Sequence, residues 1–462
     1  MSTFKTALVL ALLSTTAFPL SAAEPVPADY ERYYPQFVDS KEPLAVLAER
    51  DMASWVYKPL SELIGPNMAK ITDVAFGSHP LQKLDIYRWK DSTKRPVIFF
   101  IHGGGWAVGD KNNAGHFAIP GSVWLSLGYV VVSVNYRLGL IARDDPTAAS
   151  RIASQPIADQ PTPETRHAHP AQINDCAMGL KWVIDHIAEY GGDPNAIAIT
   201  GVSAGGHLTA LLATNRAIQQ QFGIDPRKIK CWIPVSGIYD CAHPGNYSQP
   251  WMPAFMRALL DDQRKAADAS PTTHVTGVEP PCLIVAGADD WLVPRTNSFL
   301  LFDKLREKQA ANAEFELLSG YWHNTAFVRY LEPRAKSARI INRFLAVHLP
   351  SEGNHAKLTP NDVLVRLDHR TIDFVGAQPY LASDGTVFAP STYLTDHVRA
   401  SLHPEAANAY KVLYRKKTMT LSERALVRKD GNVFVPVRAV SEALGAKVEW
   451  ISATQTLVVT FN

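Results

Sequence analysis

The chain has 462 residues, of which 46% are hydrophobic and 19% charged, and its formal net charge at pH 7 is +2. This length exceeds one ordinary hydrophobic core and indicates two domains, while the near-neutral charge gives no reason to expect a nucleic acid or a strongly acidic substrate as partner. Four cysteines in so long a chain are not a disulfide framework and show no zinc-ligand spacing, so no metal and no other cofactor is predicted.

The first 23 residues have the pattern of a secretory signal peptide. Lys5 is basic, residues 7–13 are apolar, and residues 21–23 supply small side chains for cleavage after Ala23. A hydrophobic N-terminal helix is the alternative, but the run is too short to span a membrane and leads into a Pro- and Ala-rich stretch. We therefore expect a secreted or periplasmic protein whose mature chain has no transmembrane segment and whose first domain covers residues 24–350.

Eight apolar or β-branched runs predict the strands of this first domain. They lie near residues 71–76, 83–88, 96–101, 129–135, 196–200, 231–235, 282–286 and 315–319. Residues 170–190 place apolar side chains at a helical period, as a helix covering a mostly parallel sheet does. The pattern predicts the α/β class.

The third strand leads directly into the segment His102–Trp106, which contains three consecutive glycines. A glycine-rich turn after a buried strand can point backbone N–H groups at a carbonyl oxygen that gains negative charge during acyl transfer. We predict oxyanion donors at Gly104 and Gly105, joined by the N–H of Ala204. A flexible linker is the alternative, but linkers are not flanked by six apolar residues and a tryptophan.

Ser203 lies between Gly201 and Gly205, where an apolar strand gives way to a helix-forming run. This G-x-S-x-G pattern is typical of a nucleophile elbow, a strained turn that exposes the serine hydroxyl and leaves no room for side chains two residues away. A chance surface turn is the alternative, and the strand before it and the helical run after it argue against that reading.

Candidates for the acid and the base follow the serine in chain order. Asp290 comes after the buried strand at 282–286, and it is preferred to Asp289 because it lies three residues after Gly287 and four before Pro294. His323 lies in the loop after the last strand, from which an imidazole can reach Ser203.

The chain has fifteen histidines, so the presence of one histidine alone is a weak signal for the catalytic base. We expect His102 to support the glycine-rich turn by hydrogen bonding and His207 to be a packed core residue. The remaining histidines weighed as the base lack a position at a strand end: His167, His169, His186 and His348. The acidic residues Glu316 and Asp175 are expected to be solvated or satisfied by packing.

Export would permit a disulfide. At most one bridge is expected, with Cys231 and Cys241 nearest in sequence, while Cys176 and Cys282 are predicted to be inert core thiols.

The stretch 240–262 is rich in Pro, Trp, Met and Phe, which fits either a cap over a pocket or a packed loop.

From about residue 71 to residue 348 the chain resembles the α/β-hydrolase esterases of the carboxylesterase and hormone-sensitive-lipase-like group, most closely the bacterial feruloyl and acetyl xylan esterase-like members. The matching segments are Gln82–Tyr87, His102–Trp106, Asn135–Leu138, Pro170–Asp175, Gly191–Asn195, Ser270–Pro271, Gly287–Asp290 and Val293–Pro294. The resemblance implies an α/β-hydrolase fold with a mostly parallel eight-stranded sheet and a serine esterase with the triad Ser203, Asp290 and His323. The chain departs from the family at 139–166, where a Pro-, Ala- and Asp-rich stretch could overhang the pocket and alter substrate preference.

After residue 348 we expect a linker over 351–357 and a small α+β domain over 358–462. This domain repeats itself, because Asp384–Pro390 recurs 46 positions later as Asp430–Pro436. Each copy has the pattern of a turn, a strand and a helix-like segment.

The second copy resembles the copper amine oxidase N-terminal-like (stalk) domain of secreted bacterial proteins. The resemblance implies an accessory module, and it does not imply copper, because the segment has no cluster of His and Cys residues. We expect Val440 and Leu444 to face the core of this module.

The sequence predicts an exported serine carboxylic-ester hydrolase that forms an acyl-enzyme on Ser203. Tryptophans beside the oxyanion turn, the acid and the base (Trp106, Trp291 and Trp322) predict a narrow aromatic pocket for short-chain or aryl acyl esters, unless they are core residues. The substrate is a small-molecule ester or one linked to a polysaccharide.

Two alternative functions stay open at this point. An amidase or arylformamidase would use the same motifs, and a non-catalytic envelope-binding protein would rely on the C-terminal domain. That domain, with basic segments at 415–417 and 428–429, is expected to be dispensable for catalysis and to attach the protein to the cell envelope or to a polymer. A solvated charged face is the plainer reading of those segments.

Overall fold

The computed structural model describes residues 67–106, 109–112, 119–139, 167–242, 260, 262–290, 292–310, 312–323, 336–354, 358–405 and 409–461. The chain forms two compact units, which part between His355 and Ala356. The predicted signal peptide and nearly all of the stretches 139–166 and 240–262 lie outside the described residues.

The large unit is built on an eight-stranded sheet with the strand order β1-β2-β4-β3-β5-β6-β7-β8. Strand β2 runs antiparallel to β1 and β4, and all the other pairings are parallel. The strands are β1 Met68–Ala75, β2 Lys83–Trp89, β3 Arg95–Ile101, β4 Val130–Val134, β5 Gly192–Val202, β6 Ile229–Val235, β7 Cys282–Gly287 and β8 Ala313–Leu318. The predicted mostly parallel α/β sheet is confirmed.

Helices cover both faces of this sheet, which is why its central strands are largely apolar; all five residues of β4, four valines and one serine, are buried. The helices are α1 Ile119–Ser126, α2 Ala171–His186, α3 Ala204–Thr214, α4 Arg216–Gln221, α5 Pro271–His274, α6 Thr296–Glu307 and α7 Lys336–His348. Helices α2, α3 and α6 contribute to the core on one face, whereas α1 and α7 contribute to the core on the other. The predicted helix at 170–190 is α2, continued by a 3-10 turn over Ile187–Tyr190.

All four cysteines are buried free thiols, so the expected bridge between Cys231 and Cys241 is not formed. The physical reason is the sheet itself. Cys231 belongs to the core on the face covered by α1 and α7, whereas Cys241 belongs to the core on the opposite face. Proximity in sequence was misleading because the chain changes face after β6.

The last residues of the large unit pack onto the turn between α1 and β4, which contains Leu127 and Tyr129. Ser351 donates its hydroxyl to the carbonyl oxygen of Leu127 at 2.5 Å. Asn354 donates its amide to the hydroxyl of Tyr129 at 3.0 Å, and that hydroxyl donates to the carbonyl oxygen of Leu349 at 2.9 Å. The predicted linker starts at 351, but residues 351–354 are part of the large unit.

The small unit contains three sheets, with the strand orders β10-β9-β19-β18, β11-β12-β17-β16 and β13-β14-β15. The strands are β9 Leu364–Leu367, β10 Arg370–Thr371, β11 Tyr380–Leu381, β12 Val387–Pro390, β13 Ser401–Glu405, β14 Ala409–Tyr414, β15 Lys417–Ser422, β16 Val427–Lys429, β17 Asn432–Pro436, β18 Lys447–Ile451 and β19 Thr456–Thr460. A π-helical turn, Tyr393–Val398, and helix α8, Val437–Ala443, follow β12 and β17. Val440 and Leu444 are buried in the core, as expected.

The two copies of the repeat pair with each other through β12 and β17. Ala389 faces Val435, its equivalent 46 positions later, and Phe388 and Pro390 face Pro436 and Phe434. This antiparallel register relates the copies by an approximate two-fold axis between Ala389 and Val435. Each copy therefore supplies half of one four-stranded sheet.

Candidate active site

Ser203 lies at the turn between β5 and α3, at the carboxyl edge of the large sheet. Its backbone angles are φ 57° and ψ −120°, a strained conformation for a residue with a side chain. Two backbone hydrogen bonds hold it: its N–H donates to the carbonyl oxygen of Val235 at 2.8 Å, and its carbonyl oxygen accepts from His207 N at 3.0 Å. Ser203 is half-buried, whereas Val202 and Ala204 are buried.

The two glycines of the motif are required by close backbone packing. A Cβ atom on Gly201 would lie 2.6 Å from the carbonyl oxygen of Gly205, across the turn. A Cβ atom on Gly205 would overlap the carbonyl oxygen of Ile101, at the end of β3. The turn can therefore form next to β3 only with glycine at these positions.

The glycine-rich turn that follows β3 lies directly against the serine. A Cβ atom on Gly103 would be 3.3 Å from the Cβ of Ser203. Gly104 has φ 112° and Gly105 has φ 59°, which glycine adopts without strain. The N–H of Ala204, at the start of α3, has no acceptor within its own helix. The three predicted oxyanion donors thus belong to two segments that meet at Ser203.

Trp106 connects this turn to the helix that carries the serine. Its indole Nε1 donates to Nδ1 of His207 at 3.0 Å, and Nε2 of His207 lies 2.7 Å from the carbonyl oxygen of Ala269. Because a carbonyl oxygen can only accept, the proton of the imidazole is on Nε2. Burial lowers the pKa of His207 from 6.5 to about 4, so the ring is neutral at pH 7. His207 is a packed core residue, as its sequence context suggested, and it also anchors the oxyanion turn.

His102 supports the same turn from the other side. Its Nδ1 lies 2.7 Å from the carbonyl oxygen of Gly103, and its ring stacks on Tyr136 with centroids 4.3 Å apart. The hydroxyl of Tyr136 donates to the carbonyl oxygen of His102 at 3.0 Å. Burial lowers the pKa of His102 from 6.5 to about 4, and the ring is neutral.

His323 and Asp290 are brought together from the loops after β8 and β7. Nδ1 of His323 lies 2.8 Å from Oδ2 of Asp290, and both side chains are buried. Oδ1 of Asp290 accepts from the N–H groups of Leu292 and Val293 at 3.0 and 2.8 Å. Nε2 of His323 is buried and makes no hydrogen bond to any residue that the structure describes.

Asp289 has a different environment. It is exposed, and its Oδ2 accepts from the N–H of Gly320 at 3.0 Å. The carboxylate next to Asp290 thus braces the loop that leads to His323 and does not contact the imidazole.

The three tryptophans expected at the pocket mouth differ in what the structure shows of them. Trp106 is 6% exposed and belongs to the core, with its indole N–H directed to His207. Trp322 is half-buried beside His323, and Trp291 lies outside the described residues. The side chain of Trp106 is therefore a structural anchor and not an open wall of a pocket.

Sequence reasoning missed an ionic cluster around buried Lys111 and Asp85, with exposed Asp73 at its edge, that anchors the segment after the oxyanion turn. Lys111 Nζ lies 3.0 Å from Asp73 Oδ1 and 3.2 Å from Asp85 Oδ1. The N–H of Lys111 donates to the amide oxygen of Asn135, whose amide nitrogen donates to Asp110 at 2.7 Å. Asp85, an acidic residue between the apolar residues Leu84 and Ile86 of β2, was the available signal.

Three of the other candidate residues, Asp175, His169 and His186, have polar partners other than the serine. Asp175 is buried and accepts from Arg137 Nε and Nη2 at 2.8 Å each. His169 lies 2.8 Å from Asp268, and His186 lies 3.1 Å from Glu189.

In the described part of the chain, no three His, Cys, Asp or Glu side chains are grouped as a metal site requires. None of the helices described there is long and apolar enough to cross a membrane.

Two families match the chain. The BD-FAE family model matches residues 84–148 and 162–305, and the model of the copper amine oxidase N-terminal domain matches residues 413–462. The first match contains the oxyanion turn, Ser203 and Asp290. The second covers the second copy of the repeat.

Curated relatives of the large unit carry ester hydrolase names. The probable carboxylic ester hydrolase LipM of Mycobacterium tuberculosis (strain ATCC 25618 / H37Rv) is 32% identical over 248 residues, which are 51% of this chain and 51% of LipM. Esterase LipQ of the same organism is 29% identical over 279 residues, which are 57% of this chain and 60% of LipQ. The chain thus spans about half of the length of these relatives.

A solved structure supports the fold. The crystal structure of esterase B from Lactobacillus rhamnosis (HN001) matches 69% of this chain and 96% of that chain with a TM-score of 0.50 and 21% identity. The large unit of this chain therefore has an α/β-hydrolase fold and is similar to the esterases that the BD-FAE model describes, and residues 413–462 are similar to the copper amine oxidase N-terminal domain.

Proposed function

We propose that this protein is a serine carboxylic-ester hydrolase. The observation that carries the proposal is that a strained serine and a buried His323–Asp290 pair both follow the carboxyl ends of parallel strands of the same sheet. A serine hydroxyl, an imidazole and a carboxylate in this order are the parts of nucleophilic acyl transfer. The ester hydrolase names of the relatives agree with that chemistry.

In this mechanism the Oγ atom of Ser203 attacks the ester carbonyl carbon while its proton passes to Nε2 of His323. The carbonyl oxygen becomes negatively charged and accepts hydrogen bonds from the N–H groups of Gly104, Gly105 and Ala204. Collapse of the tetrahedral adduct breaks the bond to the alcohol, which leaves with the proton of His323. The acyl group is then bound to Ser203.

Water completes the reaction by the same steps. His323 takes a proton from water, whose oxygen attacks the acyl carbon, and Ser203 leaves with the proton as the acid is released. Asp290 accepts the Nδ1–H of His323 throughout and stabilises the imidazolium. Nε2 of the buried imidazole makes no hydrogen bond within the described part of the chain, which is consistent with a base that awaits a proton, since catalytic hydrogen bonds often tighten only when substrate binds.

The finer features of the function are also proposals. We infer short-chain or aryl acyl groups as substrates, supported by half-buried Trp322 next to His323. Export is supported by the N-terminal sequence pattern, and attachment to a polymer or to the cell envelope is proposed for the C-terminal unit.

Replacement of the serine tests the mechanism. Ser203→Ala is expected to lower kcat on p-nitrophenyl acetate by at least about a thousandfold. Its melting temperature should stay at the wild-type value, because the Ser203 side chain does not cap α3. An organophosphonate should add to the wild-type peptide that contains Ser203 and not to the variant, as measured by mass spectrometry. Exposed Ser126→Ala is the matched control, and substantial turnover by Ser203→Ala would refute the mechanism.

The choice between esterase and amidase depends on relative rates. We expect kcat/KM for p-nitrophenyl esters from acetate to butyrate to exceed that for an N-formyl aryl amine and that for palmitate. A preference for the amide would make the protein an arylformamidase-type enzyme. No turnover of any of these compounds by folded wild-type protein would favour a non-catalytic binding protein.

A further inference from the structure

The outward face of the sheet β11-β12-β17-β16 in the small unit is aromatic. Its inward residues, including Val387, Ala389 and Val435, belong to the core of this unit. An antiparallel sheet with one packed face normally carries polar side chains on the other. Here Tyr380 and its cross-strand partner Phe388 stack with ring centroids 5.5 Å apart.

A third aromatic ring completes this outer surface. Phe434 contacts Tyr380 edge to face, with ring centroids 5.3 Å apart. Phe434 is the repeat equivalent of Phe388, so both copies of the repeat contribute one ring. Tyr380 and Phe388 are half-buried, whereas Phe434 is only 4% exposed and is covered on this face, outside the main core cluster of the unit.

A cavity of about 220 Å³ opens on this surface, with Tyr380 and Phe434 in its lining. The exposed amide side chains of Asn361, Gln378 and Asn432 stand around it. The volume is below the roughly 300–1,000 Å³ of sites for drug-sized molecules and suits one sugar ring. Aromatic rings with a few polar groups around them are the general composition of a ligand site.

The charges at the cavity favour an uncharged ligand. Lys429 and Asp430 both line it, and their opposite charges offset each other. Lys429 Nζ lies 5.6 Å from the centroid of the Tyr380 ring. A ligand that covers this ring therefore displaces an exposed, flexible lysine and no core group.

The loop that carries Gln378 is held by its own hydrogen bonds. Gln378 donates its amide to the carbonyl oxygens of Phe374 and Gly376 at 2.8 and 3.2 Å, which fixes the loop. Between those two residues Val375 is 97% exposed. A single exposed apolar side chain is normal on a protein surface, so the case for a binding site depends on the rings and amides that line the cavity.

We propose that this cavity binds one residue of a neutral polysaccharide chain. The C–H groups of a pyranose ring would lie on Tyr380, and its hydroxyl groups would pair with the surrounding amides. The inference rests on the polymer attachment proposed above for the C-terminal unit, and it names the site and the chemical class of the polymer. It is independent of the reaction at Ser203.

Native electrophoresis of the full chain through gels that contain soluble β-1,4-xylan, glucomannan or hydroxyethyl cellulose tests the inference. At least one of these polymers is expected to retard the wild-type chain. Tyr380→Ala and the paired change Gln378→Ala with Asn432→Ala should each weaken binding at least tenfold, as measured by calorimetry with the matching hexasaccharide. Activity on p-nitrophenyl acetate should stay at the wild-type level in these variants.

The matched control is Tyr190→Ala, which removes a half-buried tyrosine packed on Trp182 in the large unit. Wild-type binding that persists in Tyr380→Ala and in the amide variant would place polymer attachment elsewhere and overturn the site. If none of the three polymers retards the wild type, the inference and the proposed attachment to a neutral polymer both fail, whereas the esterase proposal stands. Salt-sensitive retardation by an acidic polymer alone would overturn the choice of a neutral ligand.

Discussion

Two adjacent aspartates after β7 differ in what their side chains contact. Asp290 holds the imidazole of His323 and accepts two backbone N–H groups, whereas Asp289 is exposed and holds the N–H of Gly320. The role of an acid in a triad is to hold the imidazole in one tautomer and to stabilise its charged form. The contacts therefore favour Asp290 as the acid.

Single substitutions at these two positions give the first prediction. Asp290→Asn should lower kcat on p-nitrophenyl acetate by about a thousandfold to ten-thousandfold, because an amide in this place favours the wrong tautomer of His323. Asp289→Asn, the matched control, should stay within a few-fold of wild type. Steady-state kinetics from pH 6 to 9 measure both. If Asp289→Asn proves the more damaging, the acid has been assigned to the wrong residue.

Trp106 gives a second prediction at this scale. Trp106→Phe keeps an aromatic ring but removes the N–H that donates to His207, so the oxyanion turn loses its link to α3. We expect kcat to fall roughly tenfold with KM unchanged, since misplaced donors weaken transition-state binding more than substrate binding. Affinity for a trifluoromethyl ketone, whose adduct carries an oxyanion, should fall by the same factor.

The control for this variant is Trp182→Phe, which changes a half-buried tryptophan of α2. It should leave both kcat and inhibitor affinity at wild-type values. A rise in KM without a change in kcat for Trp106→Phe would show that the indole contacts substrate instead of positioning the turn.

The local patterns around Ser203 were sufficient to predict its environment, but the contact between Trp106 and His207 was not predictable. The elbow depends on residues two positions apart, so its glycines can be recognised from the sequence. Trp106 and His207 are a hundred and one positions apart, and they meet only because β3 and β5 are neighbours in the sheet. The contacts of Lys111 with Asp73 and Asp85 were not predictable for the same reason, because these residues are far apart in the sequence.

At the scale of elements, hydrophobic runs predicted all eight strands of the large sheet, whereas their ends were less predictable. Strand β5 was expected over 196–200 and extends over Gly192–Val202. Its first residues, Gly-Asp-Pro-Asn, are typical of a turn, yet Gly192 pairs with Arg95 of β3. Tertiary pairing overrides local preference at such positions.

The elements that meet at the elbow each carry a buried neutral histidine, and this gives a pH prediction. Burial lowers the pKa of His102, after β3, and of His207, in α3, from 6.5 to about 4. Above pH 6.5 the rings are neutral in both the folded and the unfolded chain. As the pH falls from 6.5 to about 4, the unfolded chain binds protons that the folded chain excludes, so the free energy of unfolding decreases.

We therefore expect the melting temperature to decline across this window and the decline to be shallower in His207→Gln, which has no titrating ring at that position. The variant should be less stable than wild type at pH 7 because a matched hydrogen-bond pair is lost. His186→Gln, which changes a half-buried histidine of α2, should keep the wild-type slope. Parallel curves for wild type and His207→Gln, measured by calorimetry, would show that His207 does not carry the pH dependence.

At the scale of the whole molecule, the sequence indicated two units and the repeat in the second. The pairing of the two copies was not evident, because a repeat offset does not specify which strands become neighbours. Their antiparallel pairing at Ala389 and Val435 gives one sheet to which each copy contributes half. This explains why a single copy could not bury its own sheet.

The last prediction concerns a chain that is truncated at the end of the large unit. Ser351 and Asn354 contact Leu127 and Tyr129, and Arg95 Nη2 lies 3.1 Å from Glu352 Oε2. A chain that ends at His355 keeps these contacts and every residue assigned to catalysis. We expect it to hydrolyse p-nitrophenyl acetate with kcat and KM within about twofold of the full chain, because the remaining contacts match those of the intact unit.

A chain that ends at Pro350 serves as the comparison. It loses the hydrogen bonds of Ser351 and Asn354, each worth about 1 kcal/mol, and should melt a few degrees lower than the chain ending at His355. Equal melting temperatures would mean that residues 351–354 contribute no stability. If the chain ending at His355 is folded by circular dichroism but inactive, the C-terminal unit must complete the active site, because all the proposed catalytic residues precede the cut.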